Sequence, residues 1–338
     1  MRQRFLLIIL AAVLLVLSAC AERSTQWQEQ DYVELDNVYP VVGDVRDIDF
    51  DEDYIYAALD QGGFSIIDKA NGSMRWLTKV EEATGGFKSL YQIRKIASLK
   101  EFNRLFVFEM EATDGLYILD TTEQDSIKYI DAVQGGTAGV SDLKVYKIDN
   151  PTNDNRIQIA FTAGRNFQFS SYNTQLWLGF DYSITPPASS SGFDLNASHI
   201  FLAAQQRGLL IYTKSNRTLV GELALPGEAQ KVKVVGNYAY VAGRQGGLSV
   251  VDISNPANPV LLKTWDTTGY ASSVDVRGNM ALVNSNSGGV YLFDISSPAN
   301  PVLLQRITDC GYSNEAVFDG DKIIIASRDN GIRVYSIK

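Results

Sequence analysis

Four arginines occupy corresponding places in a repeating pattern of polar turns, where their guanidinium groups could bind a carboxylate or a phosphate. They are Arg165, Arg207, Arg244 and Arg328. A guanidinium group makes two parallel hydrogen bonds to such an anion, which a single ammonium group does not. In a chain of formal charge −9, four arginines on one rim would form a partial ring for an anionic ligand. The simpler interpretation, four solvated turn residues, stays open.

Carboxylates are the other groups that could do chemistry. The chain contains one histidine, His199, and two cysteines, so zinc sites and Ser-His-Asp or Cys-His hydrolysis lack their usual parts. Catalysis by paired carboxylates needs neither residue type. Acidic residues that fall on predicted strands converging on one axis are Asp49, Asp142, Asp194, Asp275 and Glu315. We predict no catalytic residue, no metal site and no cofactor, and keep carboxylate catalysis as the alternative.

A sequence repeat must position these side chains. The segment 236–262, GNYAYVAGRQGGLSVVDISNPANPVLL, returns forty-two residues later as 278–304, GNMALVNSNSGGVYLFDISSPANPVLL. Short runs of β-branched, aromatic and small residues alternate in it with turn residues such as Gly-Asn, Gly-Gly and Asn-Pro. With the run that precedes it, residues 230–235 in the first copy, one copy predicts an antiparallel sheet of four strands.

The same frame occurs seven times, with its central turn near residues 63, 115, 166, 208, 247, 289 and 331. A period near forty with four strands per copy is typical of a β-propeller blade, since a lone blade cannot bury both of its faces. We therefore predict an all-β fold, a seven-bladed β-propeller of four-stranded antiparallel blades. The runs 64–68, 116–120, 248–252 and 290–294, together with the DISNPANPV segment, resemble LVIVD repeats. The resemblance covers about residues 41–338 and implies blades of the WD type.

The predicted ring needs one more strand to close. The seventh copy stops before its fourth strand, while residues 32–38 alternate like a strand but precede the first copy. Because an unpaired sheet edge is a liability, we expect this N-terminal strand to join the last blade as its outer strand.

Long connections and aromatic residues mark regions where binding groups could be displayed. Three blade-to-blade crossings, 80–91, 134–141 and 183–192, are longer than a hairpin needs. Most of the aromatic cluster of blade three is expected to be strand core, and the alternative is an exposed platform for a sugar or a partner's side chain. Its members are Phe167, Phe169, Tyr172, Trp177, Phe180 and Tyr182.

The first twenty residues predict export and lipidation. Arg2 and Arg4 precede an apolar run, 5–17, that is shorter than the roughly 20 residues of a membrane span. The sequence Leu17-Ser-Ala-Cys20 resembles the lipobox of bacterial lipoproteins. The resemblance implies a signal peptide at 1–19, a lipidated Cys20, a tether at 20–30 and one domain at 31–338. A plain secretory signal or an uncleaved anchor stays open. Because Ala21 is not the Asp that retains such lipoproteins at the inner membrane, the outer membrane is favoured.

Charge and composition restrict the partners. Loss of residues 1–19 removes two arginines and no acid, which changes the formal charge from −9 to −11. An acidic domain is repelled by the phosphate backbone, so we predict no nucleic-acid partner. Once Cys20 is modified, Cys310 has no partner for an intramolecular disulfide, and we expect it to be inert and the protein to be a monomer.

These observations lead to two functional hypotheses. The first is a cell-envelope lipoprotein whose propeller is a non-catalytic scaffold and binds an unidentified envelope protein or polysaccharide through its loop rim. The alternative is a carboxylate-dependent hydrolase or lyase that acts on an envelope glycan in the central channel.

Overall fold

The structure, a computed structural model, describes residues 31–110, 115–133, 139–148, 155–173 and 177–338. The predicted signal peptide, the lipidated Cys20, the tether and residues 134–138 of the second long crossing lie outside the described residues. Residues 33–337 form one compact unit. Its strands make seven sheets, and helical geometry in the described ranges is limited to two short 3₁₀ turns, Lys100–Phe102 and Asn286–Gly288. No helix in the described ranges has the length and hydropathy needed to cross a membrane.

The strands follow one another blade by blade. The chain begins with β1 (Val33–Tyr39). Blade 1 contains β2 (Asp47–Phe50), β3 (Tyr54–Ala58), β4 (Phe64–Asp68) and β5 (Met74–Leu77). Blade 2 follows the hairpin of β6 (Lys79–Glu82) and β7 (Phe87–Ser89), and contains β8 (Ile93–Leu99), β9 (Arg104–Glu109), β10 (Leu116–Asp120) and β11 (Lys128–Val133).

The next three blades each contain four consecutive antiparallel strands. Blade 3 contains β12 (Val140–Lys147), β13 (Asn155–Ala163), β14 (Asn166–Asn173) and β15 (Trp177–Ile184). Blade 4 contains β16 (Gly192–Leu195), β17 (His199–Ala203), β18 (Leu209–Thr213) and β19 (Leu219–Leu223). Blade 5 contains β20 (Lys231–Val235), β21 (Tyr238–Ala242), β22 (Leu248–Asp252) and β23 (Val260–Trp265).

The last two blades complete the ring. Blade 6 contains β24 (Ser273–Arg277), β25 (Met280–Asn284), β26 (Val290–Asp294) and β27 (Val302–Ile307). Blade 7 contains β28 (Ser313–Asp319), β29 (Lys322–Ser327), β30 (Gly331–Ile337) and the N-terminal strand β1. The first strand of each blade is innermost, and β28 of blade 7 neighbours β2 of blade 1. The prediction of an all-β, seven-bladed propeller is confirmed.

The turn between the second and third strands requires glycine because the backbone at the end of the fourth strand passes close to it. Gly247 has a φ of +67°, and a Cβ built on it would lie 2.2 Å from the carbonyl oxygen of Trp265. Gly289 has the same environment in the next blade, at 2.2 Å from the carbonyl oxygen of Ile307. A side chain at either position would meet both steric overlap and an unfavourable left-handed backbone. This explains why the second glycine of the Gly-Gly pair recurs in the repeat.

The hydrophobic core is divided into layers between neighbouring blades. One buried cluster joins Tyr240 and Val250 of blade 5 to Val274 and Val283 of blade 6. Each sheet therefore buries apolar side chains against the blade on either side, at roughly 25 cal/mol per Å² of apolar area removed from water. Since no blade has a core of its own, the stability of each one depends on its neighbours.

Blade 2 departs from the predicted four strands. Part of the segment expected to be a long crossing, 80–91, instead forms the β6–β7 hairpin, and β6 pairs in parallel with the outer strand β11 through Lys128 and Tyr129. The sheet of blade 2 therefore has six strands, in the order β7-β6-β11-β10-β9-β8. The four-strand frame alone did not predict this because the extra residues were assigned to a loop.

The aromatic cluster of blade three is divided between core and surface. Phe167, Phe169 and Tyr172 are fully buried, as expected for strand core. Phe180 on β15 differs, because 64% of it is exposed. The ring of Tyr182 lies 4.9 Å from that of Phe169 and supports the guanidinium group of Arg217 at 4.5 Å.

The ring is closed by pairing of the two ends of the propeller. Strand β1 runs antiparallel to β30, with register from Val33 opposite Ile337 to Tyr39 opposite Ile332. The predicted closure by an N-terminal strand is confirmed. Tyr39, the last residue of β1, also packs against the turn between β29 and β30, because its carbonyl oxygen approaches Gly331.

Removal of this closing strand should destabilise the propeller. Deletion of residues 31–39 removes six paired residue positions, and each backbone hydrogen bond contributes about 1 kcal/mol net. We expect the melting temperature, measured by circular dichroism, to fall by ~5 °C or more. A matched deletion of residues 21–29, which leaves β1 in place, should change it by no more than ~2 °C. Equal melting temperatures for the two deletions would contradict the closure.

Candidate functional site

The innermost strands surround a central cavity of about 470 Å³. Residues of β2, β8, β12, β20, β24 and β28 line it. Because side chains alternate along a strand, residues two apart on each innermost strand face the cavity at successive levels. Two levels carry most of the charged side chains, and we call them the upper ring and the lower ring.

The upper ring contains Asp47, Lys95, Asp142, Lys231 and Glu315. Lys95 Nζ lies 2.9 Å from Asp47 Oδ1 and 3.7 Å from Glu315 Oε2. Lys231 Nζ lies 3.0 Å from Glu315 Oε1 and 3.1 Å from Asp142 Oδ1. Two ammonium groups thus bridge three carboxyl groups from blades 1, 3 and 7, all of them less than one tenth exposed. The upper ring contains one more carboxyl group than cations.

The lower ring contains Asp49, Lys144, Asp194, Lys233 and Asp275. Lys144 Nζ lies 2.7 Å from Asp194 Oδ1, and Lys233 Nζ lies 2.9 Å from Asp275 Oδ1. Asp49 has no such cation, and its hydrogen bonds come from Ser98 and from the backbone of Phe50. The lower ring therefore also has one carboxyl group in excess.

The ring carboxylates also connect neighbouring blades. Asp142 Oδ2 accepts a hydrogen bond from the backbone N–H of Phe193 at 3.0 Å, and Asp194 Oδ2 accepts one from Val234 at 2.7 Å. An innermost strand has one edge without a sheet partner, so these carboxylates accept hydrogen bonds from amides that would otherwise be unpaired. The same contact is made by Asp47 with Ile96, by Asp49 with Ser98 and by Asp275 with Phe318.

Burial and neighbouring charges change the proton affinity of three carboxyl groups in the rings. Burial raises the pKa of Asp47 to about 8, although Lys95 acts in the opposite direction. Burial would also raise the pKa of Glu315, but Lys231, Lys95 and a hydrogen bond with Asp47 outweigh it and lower that pKa to about 2. The two pKa values of this pair thus shift in opposite directions, that of Asp47 upward and that of Glu315 downward. Burial raises the pKa of Asp49 to about 6.

The carboxylates that sequence analysis considered for catalysis therefore have structural partners. Asp142, Asp194 and Asp275 each bind a lysine and a backbone amide. Sequence analysis did not identify the network itself, because Asp47 and the lysines that pair across the cavity carry no motif. One feature of the sequence could have pointed to Asp47. It lies two residues before Asp49 on the same strand, so both side chains face the same side of the sheet.

The four arginines lie on one rim, which we call the crossing rim because the blade-to-blade crossings also lie there. Each is in a turn between the second and third strands of its blade. Arg207 pairs with Glu222 at 2.6 Å and Arg244 with Glu228 at 2.5 Å, whereas Arg328 lies 3.7 Å from Asp44. Arg165 donates a hydrogen bond to the carbonyl oxygen of Pro187 at 3.1 Å. Anion binding by these arginines stays a prediction.

The crossing rim also exposes aromatic side chains along consecutive crossings. Tyr270, in the crossing between blades 5 and 6, is 53% exposed, and Tyr91, between blades 1 and 2, is 61% exposed. Between them along the ring lie Tyr312, which is half-buried, and the aliphatic Val42, which is 64% exposed. We call these four residues the aromatic arc.

Arginines support two rings of the aromatic arc. The guanidinium carbon of Arg244 lies 5.4 Å from the ring centroid of Tyr270, and that of Arg328 lies 5.8 Å from the ring of Tyr312. Such contacts hold an exposed ring in place. Sequence analysis did not single out these tyrosines. The signal was the dipeptide Gly-Tyr, which recurs forty-two residues apart at 269–270 and 311–312.

Two other side chains that sequence analysis considered are those of His199 and Cys310, the second of which lies in the crossing between blades 6 and 7. His199 begins β17 and its ring Nδ1 contacts the hydroxyl group of Ser198. Cys310 is a free, fully buried thiol. Among the described residues, no group of three or more His, Cys, Asp and Glu side chains has an arrangement that could hold a metal ion.

Comparisons with known proteins agree with this architecture. The LVIVD repeat family model matches residues 42–77, 226–267 and 268–309, which lie in blades 1, 5 and 6. The presence of LVIVD repeats is thereby confirmed for these three blades. No curated protein sequence matches the chain.

Solved structures with a similar fold include propellers of other repeat types. The structure of U3-55K has a TM-score of 0.69 at 13% identity, over 90% of this chain and 98% of that one. The WD40 repeats of RRP9 give 0.69 at 12%, over 91% and 98%. The Myceliophteria thermophila Cps50 (Swd1) β-propeller domain gives 0.69 at 12%, over 90% and 100%. At this identity the likeness shows the fold alone.

The raised pKa of Asp47 predicts that its contribution to stability falls as pH rises from about 4 to about 8. An unfolded aspartate has a pKa near 3.9, whereas that of Asp47 is raised to about 8 in the folded chain. Between these values the folded state holds a proton that the unfolded state has released, so the free energy of unfolding decreases with rising pH. Below about pH 4.5 the lowered pKa of Glu315 has the opposite effect.

The measurement is urea unfolding between about pH 6.5 and pH 8.5, the range around the folded pKa of Asp47. We expect the decrease in the free energy of unfolding over this range to be largely lost in Asp47→Asn. The control Asp49→Asn should keep the decrease between about pH 6.5 and pH 8.5, because the pKa of Asp49 is about 6. That variant should lose the decrease that Asp49 itself causes between about pH 4 and pH 6. An Asp47→Asn variant with the full decrease would show that another group holds the proton.

Proposed function

We propose that this protein is a non-catalytic binding scaffold, held at the cell envelope by a lipid on Cys20, whose crossing rim binds another protein. The observation that carries the proposal is the aromatic arc, in which two exposed tyrosine rings, one half-buried tyrosine ring and an exposed valine occupy consecutive crossings on one rim of the propeller. A propeller presents its loops from a scaffold that itself does not move, which suits recognition.

The composition of the aromatic arc favours a protein partner. Tyrosine and arginine are enriched in the centres of protein interfaces, since they combine large apolar contact area with hydrogen-bonding groups. Tyr270 and Arg244 stand together in this way, as do Tyr312 and Arg328. The carboxylates beside these arginines balance their charge, so the rim does not depend on a strongly charged ligand.

Hydrolysis of a glycan in the central channel has less support. Glycoside hydrolysis ordinarily requires two carboxyl groups, one to donate a proton and one to act as base or nucleophile. Among the ring carboxyl groups that the structure describes, Asp49 is the one without a lysine partner. A single carboxyl group does not form the required pair.

The lipid anchor follows from the sequence at residues 17–20. A lipidated cysteine with several acyl chains gives stable attachment to a membrane. The proposal places the propeller at the outer membrane, because Ala21 replaces the Asp of inner-membrane lipoproteins. The second cysteine is suited as a control, since Cys310 is buried.

Substitution of the proposed lipid site should release the protein. In cells that express Cys20→Ser, we expect the protein to be lost from the detergent phase of a Triton X-114 partition, or to persist there only as the uncleaved precursor. The matched variant Cys310→Ser should partition like the unmodified chain. A mature Cys20→Ser protein that stays in the detergent phase would contradict lipidation at this residue.

Photocrosslinking in intact cells tests the binding rim. A benzophenone amino acid at position 270 should give a discrete product that contains a second protein, whereas the same group at position 302 should not. Val302 is 58% exposed and lies at the start of β27, at the rim opposite the crossings. With the benzophenone at position 270, Tyr91→Ala should reduce the yield several-fold, because both rings belong to the aromatic arc.

Other results of the crosslinking experiment would change or contradict the proposal. A product at position 270 that contains carbohydrate instead of protein would replace the protein partner by a polysaccharide. Absence of a product at position 270, or the same product at position 302, would contradict binding through the crossing rim.

A further inference from the structure

Two side chains of the central cavity have opposite charges and lack partners of the opposite sign. Asp49 on β2 and Arg277 at the end of β24 both line the cavity. Asp49 accepts hydrogen bonds from Ser98 at 2.5 and 3.0 Å and makes no ion pair with any described residue. Arg277 packs its guanidinium group 5.6 Å from the ring centroid of Phe318 and has neither an ion pair nor a side-chain hydrogen bond within the described ranges.

The lysines of the cavity wall do not share this property. Lys144, Lys231 and Lys233 line the same cavity, and each lies within 3.1 Å of a carboxylate oxygen. Since paired groups largely cancel each other's field, the cavity presents one unpaired negative group and one unpaired positive group to a ligand. Asp49 and Arg277 are each partly shielded from water, where an unpaired charge is costly, so a ligand that supplies both missing charges would be stabilised at both ends.

The two groups are at different levels and on different sides of the cavity. Asp49 belongs to the lower ring, and Arg277 is two residues beyond Asp275 of the same ring, a rise of about 7 Å along the strand. Blade 7 lies between them and contributes the apolar side chains Val317 and Phe318 to the wall. A ligand that reaches both groups must carry its charges at opposite ends of an apolar or weakly polar body.

We propose that the central cavity binds a small zwitterion, with its ammonium group at Asp49 and its carboxylate at Arg277. The ligand class is that of ω-amino acids and short peptides, in which several bonds separate the two charges. The guanidinium group of Arg277 can bind the carboxylate through two hydrogen bonds. The side chain of Phe318 already holds one face of the guanidinium group.

Asp49 and Arg277 together discriminate against ligands with a single charge. An anion at Arg277 leaves Asp49 unpaired, and a cation at Asp49 leaves Arg277 unpaired, so each gains at one end only. The size of the cavity, about 470 Å³, fits a molecule of this class, since ligand pockets commonly measure about 300–1,000 Å³. This site is separate from the crossing rim and does not depend on the function proposed for that rim.

The test is isothermal titration of the full chain in detergent with glycine, 4-aminobutanoate and 6-aminohexanoate, and with hexanoate and hexylamine as singly charged controls. We expect at least one ω-amino acid to bind at least ten-fold more tightly than hexanoate and hexylamine. Arg277→Gln and Asp49→Asn should each weaken that binding by about ten-fold or more, which corresponds to about 1.4 kcal/mol.

Arg277→Gln is the decisive variant because its side chain has no polar contact to lose within the described residues. Asp49→Asn also removes an acceptor for Ser98, so its melting temperature is measured in parallel. The control Arg165→Gln, on the crossing rim, should bind like the unmodified chain. No binding by 4-aminobutanoate or 6-aminohexanoate, equal binding by hexanoate or hexylamine, or unchanged binding by Arg277→Gln would overturn the proposal.

Discussion

Everything in this structure depends on the need of each blade to cover both of its apolar faces. A four-stranded sheet of this size cannot do so alone, and stacking seven of them in a line would leave the two outer faces open. Closing the line into a ring removes those faces, and the pairing of β1 with β30 fastens the closure. The first and last parts of the domain thereby belong to the same sheet. Stability and order around the ring are consequences of this single constraint.

Closure also creates the charged channel. Seven innermost strands meet around one axis, each with an edge that no further strand can pair. Asp142 and Asp194 show how these edges are satisfied, since each binds an amide of the next blade and a lysine of the cavity wall. Acidic residues near the axis of a propeller can therefore be structural. Burial at the axis raises the pKa of Asp47, and the small excess of carboxyl groups over lysines leaves Asp49 without a cation.

The sequence repeat was sufficient to predict the fold, because turn residues and strand lengths are local features that recur every forty or so residues. It predicted seven blades and the closing strand correctly. It did not predict the β6–β7 hairpin, since an insertion interrupts the period. The channel network was also missed, because Lys95 and Lys231 meet Glu315 across distant parts of the chain. The solvent exposure of single tyrosines could not be predicted either, because the sequence does not distinguish Tyr270 on the rim from Tyr240 in the core.

The closed ring itself is tested most directly by hydrogen exchange under native conditions, followed by mass spectrometry of peptides covering 33–39 and 331–337. If these two segments fasten the ring, they open only when the whole ring opens. We then expect the amides of 33–39 and 331–337 to exchange together, as slowly as those of the central strands of blades 5 and 6. Rapid exchange of 33–39 while 331–337 and the other blades stay protected would show an open ring and would contradict closure by β1.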